Sequence, residues 1–139
     1  MAYFAWLLSM SVDLALYAVP ITVALLFALV VAVLRHYRRA ERPRIPWGAI
    51  VVGFAIPLLI LVYGTIRAAE GTNWTPRSGV QFAPWIVYGC LGAHVLLVAL
   101  AAWRTPNARG LVVAIGACQF WWSIGAGFVA LMSVTGQWL

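Results

Sequence analysis

Few side chains in this 139-residue sequence could do chemistry, so where they stand carries most of the information. There are three acids (Asp13, Glu41, Glu70), two histidines (His36, His94) and two cysteines (Cys90, Cys118). His94 lies deepest in apolar sequence, ten residues before Arg104, and Gln119 lies ten residues after Arg109. Two antiparallel helices joined through Arg104–Gly110 would bring them to one height. A hydrogen bond between them would then satisfy two polar side chains in apolar surroundings, a gain of about 0.6–2 kcal/mol. An interhelical His94–Gln119 pair is therefore the leading expectation. The alternative is that the His94 imidazole ligates a haem or a chlorophyll-type pigment. His36 sits in a basic segment far from His94, so a bis-histidine site within this chain is not expected, and a second axial ligand would have to come from another subunit.

Asp13 is the other candidate. It stands 21 residues before Leu34, about 31 Å along a straight helix, which puts it at the outer interface with Arg67, Glu70 and Arg77. A helix start or a surface ion pair is the expected role there. The deep first-helix acid on which small four-span multidrug exporters depend has no counterpart in that placement. Cys90 is fourteen residues before Arg104 and Cys118 nine after Arg109, a difference of about 7–8 Å in height, so no disulfide is expected between them. No Walker loop, GxSxG, HExxH, CxxC or convergent Ser/His/Asp set is present, and with three acids acid–base chemistry has few players. No enzymatic activity, metal site or nucleic-acid binding is expected.

The elements that position these residues follow from composition. The chain is 65% hydrophobic and 9% charged, against about 25% charged in soluble domains, and its mean hydropathy is +0.97. Spanning the hydrocarbon takes about 20 apolar residues. Four stretches qualify, at about 12–34, 47–66, 83–103 and 111–134, and no period-two alternation suggests a β-barrel. The predicted fold is all-α, a single domain of four transmembrane helices. Residues 2–10 would lie at the outer interface as a short amphipathic piece, with Ser11 or Asp13 starting the true first span. Pro20 and Pro57 fall inside spans one and two, where each would bend its helix locally.

All nine basic residues are arginine, and five of them, Arg35, Arg38, Arg39, Arg42 and Arg44, fall within ten positions. Counting Arg104 and Arg109, seven arginines lie in the first and third loops against Arg67 and Arg77 in the second. The positive-inside bias then makes the first and third loops cytoplasmic and both termini extracytoplasmic. The same arginines could touch anionic lipid headgroups. Trp47, Trp74, Trp85, Trp103 and Trp138 flank the predicted ends, as interfacial tryptophans do.

Gln119, Ser123, Ala126 or Gly127, and Ala130 form a stripe of polar and small residues on span four, facing Gly89-xxx-Ala93 on span three. Such stripes let helix backbones approach closely, so spans three and four should form a tight hairpin. Phe120, Trp121 and Trp122 are consecutive and must point three ways, so Trp121 or Trp122 is expected to meet lipid, a cofactor or a partner. Trp74, in the Arg67–Phe82 loop with the sequon-like Asn73-Trp74-Thr75, is a further partner-contact candidate.

The run Ala93-His94, followed by Trp103-Arg104-Thr105-Pro106, resembles the pigment-binding span of bacterial light-harvesting β polypeptides. The resemblance covers residues 93–106 and implies a chlorophyll-type pigment on His94. Those polypeptides have one span rather than four, and their Trp-Arg end faces outward, opposite to the orientation read here. Together these features point to a small non-catalytic subunit that scaffolds a larger bacterial inner-membrane complex, respiratory or photosynthetic in type and so tied to electron transport. The alternatives are a small oligomeric transporter or channel, and a tetrapyrrole-binding subunit using His94.

Overall fold

The computed structural model describes residues 2–38, 45–68 and 83–135. Arg39, Arg42, Arg44, Glu41, Glu70, Asn73, Trp74, Arg77 and Trp138 lie outside the described residues, and with them the expectations for the second loop and for most of the arginine cluster. The described chain forms five α-helices and no strand: α1 (Ala2–Tyr17), α2 (Val19–Tyr37), α3 (Trp47–Ala68), α4 (Ala83–Arg104) and α5 (Arg109–Thr135). Four of them, α2 to α5, are long and apolar enough to cross a membrane.

α5 is the axis of the bundle. It packs on each of the other four helices, and its sequence explains why. Ala126 and Ala130 are wholly buried, and Gly116, Gly125 and Gly127 are buried beside them. At the tightest crossing, with α3, a Cβ on Gly64 would stand 2.9 Å from both Cα and Cβ of Ala130. Only a residue without a side chain lets the two backbones come that close. The stripe expected on span four is therefore a packing face, but it serves α3 and α1 as well as α4, and Gly89-xxx-Ala93 on α4 does not face it: both residues are exposed, and Val87, His94 and Val98 meet α5 instead.

Side-chain contacts fix the relative heights. Ile50 meets Gln119, and Gly64 meets Ala130 and Ser133, so α3 runs parallel to α5. His94 meets Ser123 and Val98 meets Gly116, so α4 runs antiparallel. Leu7, Ile60, Leu61, Val87, Ala126, Val129 and Ala130 form the main core, in the half of the bundle nearer the Thr135 end of α5, the half expected to face outward. Ala101, Ala102, Ala108 and Val112 form a smaller one at the other end. There the chain turns through a short 3-10 segment, Pro106–Ala108. Arg109 Nε donates to the Ala102 carbonyl (3.2 Å), to which Pro106 has no N–H to offer, and Thr105 Oγ1 joins its own backbone N–H on the Ala101 carbonyl (2.6 Å). Arg35, Arg104 and Arg109 gather at this end of the bundle, while Arg67 ends α3 at the other.

The first apolar stretch departs from expectation. It is not an interfacial piece ending near residue 10 followed by one span. α1 runs unbroken through Ser11 and Asp13, and the break comes at Ala18 (φ −82°, ψ 54°). Pro20 does not kink a span. It falls in the first turn of α2, where its missing N–H would have had no intrahelical partner anyway. Pro57 lies where expected, buried inside a continuous α3.

α1 packs antiparallel along the outer half of α5. Tyr3 Oη bonds Ser133 Oγ (3.0 Å), Trp122 Nε1 donates to Ser11 Oγ (3.2 Å), and the Ser11 carbonyl lies over Gly125, 2.9 Å from where a Cβ would be. α2 follows along the inner half, where Leu25 meets Cys118 and Arg35 and His36 stand beside Ala108. His36 is its one buried residue.

The Gly64–Ala130 crossing makes a direct test. Gly64→Leu should lower stability by about 1–3 kcal/mol through overpacking. Gly48→Ala, with nothing near its Cβ, should change it by less than about 0.5 kcal/mol. Unfolding in mixed detergent micelles titrated with dodecyl sulfate measures both.

Candidate functional site

His94 and Gln119 do come to one height, but they do not bond each other. Ser123, one helical turn beyond Gln119, takes the histidine: His94 Nδ1 and Ser123 Oγ are 3.0 Å apart. The Ser123 hydroxyl hydrogen is committed to the Gln119 backbone carbonyl (3.0 Å). Its oxygen is therefore the acceptor and His94 Nδ1–H the donor, which fixes the tautomer and leaves a lone pair on Nε2. The Gln119 carboxamide turns the other way and donates through Nε2 to the Ile50 carbonyl of α3 (2.9 Å).

Gly53 makes that possible, because a Cβ there would collide with the Gln119 carboxamide. The expected pair is thus replaced by a chain across three helices, from α4 through α5 to α3. The stripe of span four already contained Ser123, so one signal for its role was present. The glycine opposite Gln119 was the other.

His94 is fully buried, with the Phe120 ring edge-on at 5.7 Å between centroids. Nε2 is sealed from solvent and, among the described residues, is the one buried side-chain nitrogen or oxygen without a hydrogen-bond partner. A tetrapyrrole would need open space in front of that atom, and Phe120 and the packed α4–α5 interface leave none. His36 offers no second ligand at this height, since it stands beside Ala108, fifteen residues down α5 from Ser123, or about 22 Å. The residues present do not fit the group, and the pigment reading of His94 finds no support in this geometry.

The same enclosure bears on the His94–Ser123 contact as a catalytic pair. Nucleophilic catalysis needs a serine that substrate can reach and a base oriented by a third group. Ser123 is wholly buried, its proton points at a backbone carbonyl, and no carboxylate stands behind the imidazole. No three His, Cys, Asp or Glu side chains converge among the described residues. Cys90 and Cys118 are both free thiols; Cys118 Sγ lies 3.8 Å from the Leu25 carbonyl, a weak contact between α5 and α2.

The three consecutive aromatics are half-buried. Phe120 packs on His94, and Trp122 spends its N–H on Ser11 and stacks at a tilt on Phe54 (6.4 Å). Trp122 therefore clasps α1, α5 and α3 together. Trp47, Trp85 and Trp103 are largely exposed at helix ends, as an interfacial belt requires.

Asp13 is where the structure changes the reading most. Ser11 lies over Gly125, ten residues short of Thr135, so Asp13 stands at least about 15 Å inward from the outer end of α5. Trp85 precedes Val87, which packs on Gly127, so Asp13 is also about 9 Å inward of that tryptophan. It is not at the outer rim. Its side chain is exposed, on the face of α1 turned away from buried Leu7 and Ser11, and pairs with no described residue. The count from Leu34 misplaced it because it treated a broken path as one straight helix.

Ser123→Ala should leave the His94 Nδ1–H unpaired and lower stability by about 0.6–1.7 kcal/mol. Adding His94→Leu should recover part of the loss, a coupling that a double-mutant unfolding cycle reads. Protein purified from its native membrane should show no Soret or near-infrared band. The chain matches no protein-family model, no curated protein and no solved structure.

Proposed function

We propose that this chain is a non-catalytic subunit of a larger assembly of integral membrane proteins in a bacterial inner membrane, respiratory or photosynthetic in type. In this reading the Arg35 end faces the cytoplasm and both termini face out. The gathering of Arg35, Arg104 and Arg109 at one end supports that orientation.

One observation carries the assembly reading: the exposed Asp13 carboxylate within the apolar height of the bundle. An acid at membrane depth is costly and is normally paired or turned toward a polar path. Here it projects from the bundle surface, beside the exposed side chains of Val12, Leu16 and Tyr17. A neighbouring helix bringing a basic or hydrogen-bond-donating side chain would satisfy it, and the aliphatic residues around it would pack on the same partner. The bundle interior supports a structural role, since its polar side chains are spent on holding helices together.

The same carboxylate favours a second reading. An acid inside the membrane is able to carry a proton, as an oligomeric, proton-coupled transporter would require.

Native mass spectrometry of the chain extracted in mild detergent separates the two. The subunit reading expects a stoichiometric partner chain with wild-type protein. It also expects loss of that partner in Asp13→Leu and about tenfold weaker retention in Asp13→Asn, with folding unchanged by circular dichroism. A wild-type chain that runs alone, or only with copies of itself, and drives pH-dependent flux in liposomes that Asp13→Asn abolishes, would overturn it in favour of transport.

A further inference from the structure

α2 and the inner half of α5 do not close on each other. A groove of about 460 Å³ runs between them, walled by Ala28, Ala32, Ala114 and Ala117, with Arg35 and His36 at its basic end. The cause is in the sequence. Five of the twelve residues that line it are alanine and one is glycine, too short to fill the gap that leucines would fill, and Val31, Leu111 and Val113 complete the apolar wall. The size lies within the ~300–1,000 Å³ of small-molecule sites.

His36 is the telling residue. It is 94% buried in the wall of the groove, being 6% exposed, with its ring edge-on to Tyr37. Its imidazole bonds no described residue. The residue lines the groove. Buried polar groups are as a rule hydrogen-bonded, so this imidazole calls for an occupant. Arg35 precedes it, lines the same groove, and is exposed with no partner among the described residues; Arg38, one turn on, is exposed as well.

We propose that this groove binds one anionic phospholipid from the leaflet on the arginine side. Its phosphate is held between the Arg35 guanidinium and the His36 imidazole, and one acyl chain lies along the alanine trough. The two ends of the groove match the two ends of such a lipid. A planar guanidinium suits a phosphate, a wall of methyl groups suits a hydrocarbon chain, and basic pockets between membrane helices on this side suit anionic headgroups. A zwitterionic lipid would bring its own cation toward Arg35 and Arg38. The inference rests on the membrane placement proposed above but not on a protein partner at Asp13, which lies on another helix.

The full chain, washed free of lipid in detergent, is reconstituted into nanodiscs containing equal phosphatidylglycerol and phosphatidylcholine, then released and weighed by native mass spectrometry. The expected result is one retained phosphatidylglycerol per chain, preferred at least about fivefold. Arg35→Gln should reduce retention about fivefold. Arg104→Gln, an exposed arginine at the same end that does not line the groove, should leave it unchanged, and Ala32→Phe should abolish it by filling the trough. Equal retention of both lipids overturns the proposal. So does an equal effect of Arg35→Gln and Arg104→Gln, displacement by millimolar inorganic phosphate, or a lipid-free dimer. If Ala32→Phe fails to fold by circular dichroism, the comparison of the two arginine variants decides alone. Loss of a protein partner in Asp13→Leu has no bearing on this outcome, so the two readings fail separately.

Discussion

Close approach to α5 is the condition on which the rest of the bundle depends. In apolar surroundings there is no water to accept a stray hydrogen bond, so each polar side chain must find its partner inside the protein. α5 meets that demand for three neighbours. Gln119 reaches the Ile50 carbonyl and Ser133 the Gly64 carbonyl on α3, Ser123 accepts from His94 on α4, and Trp122 donates to Ser11 on α1. These bonds form only if the backbones are near, and they are near because Gly53, Gly64, Gly125 and the buried alanines of α5 leave nothing between them. Small residues and polar residues are thus one device: the first set the distance, the second use it.

The four long apolar helices were legible in the sequence because hydropathy and length determine them almost alone. So was the common height of His94 and Gln119, because both are counted from the same short turn. The choice of partner was not. A helix carbonyl can accept a second hydrogen bond anywhere along its length, so nothing in Ile50 marks it as the acceptor for Gln119. The only local signal is Gly53, which leaves room for the carboxamide. The first helix pair was misread for a related reason. Ser11 and Asp13 have the chemistry of a helix start, yet Ser11 spends its hydroxyl on Leu8 of its own helix and on Trp122 of another. The real start was marked by Pro20, whose place in a first turn is as ordinary as a kink in mid-helix.

The break at Ala18 links the two ends of the first apolar stretch. With it, the acid stays at the height of the core, and α2 meets α5 only over its inner half. There alanine faces alanine and a trough remains. This one irregular residue lies between two features left unsatisfied among the described residues, an acid with no described partner on one helix and an open basic-ended groove beside the next.

The central position of α5 also constrains how the bundle is made. It is the last of the five helices to be synthesised, so Gly64 waits for Ala130, His94 for Ser123, and Ser11 for Trp122 until α5 has been made. Until then the earlier helices must persist largely on their own hydrophobicity, each without its contacts to α5. Seen from the ribosome, the low charge of α2, α3 and α4 is a waiting condition as much as a folding one. The bundle acquires its tertiary structure late, in a step in which one small-surfaced helix gathers neighbours that touch one another little.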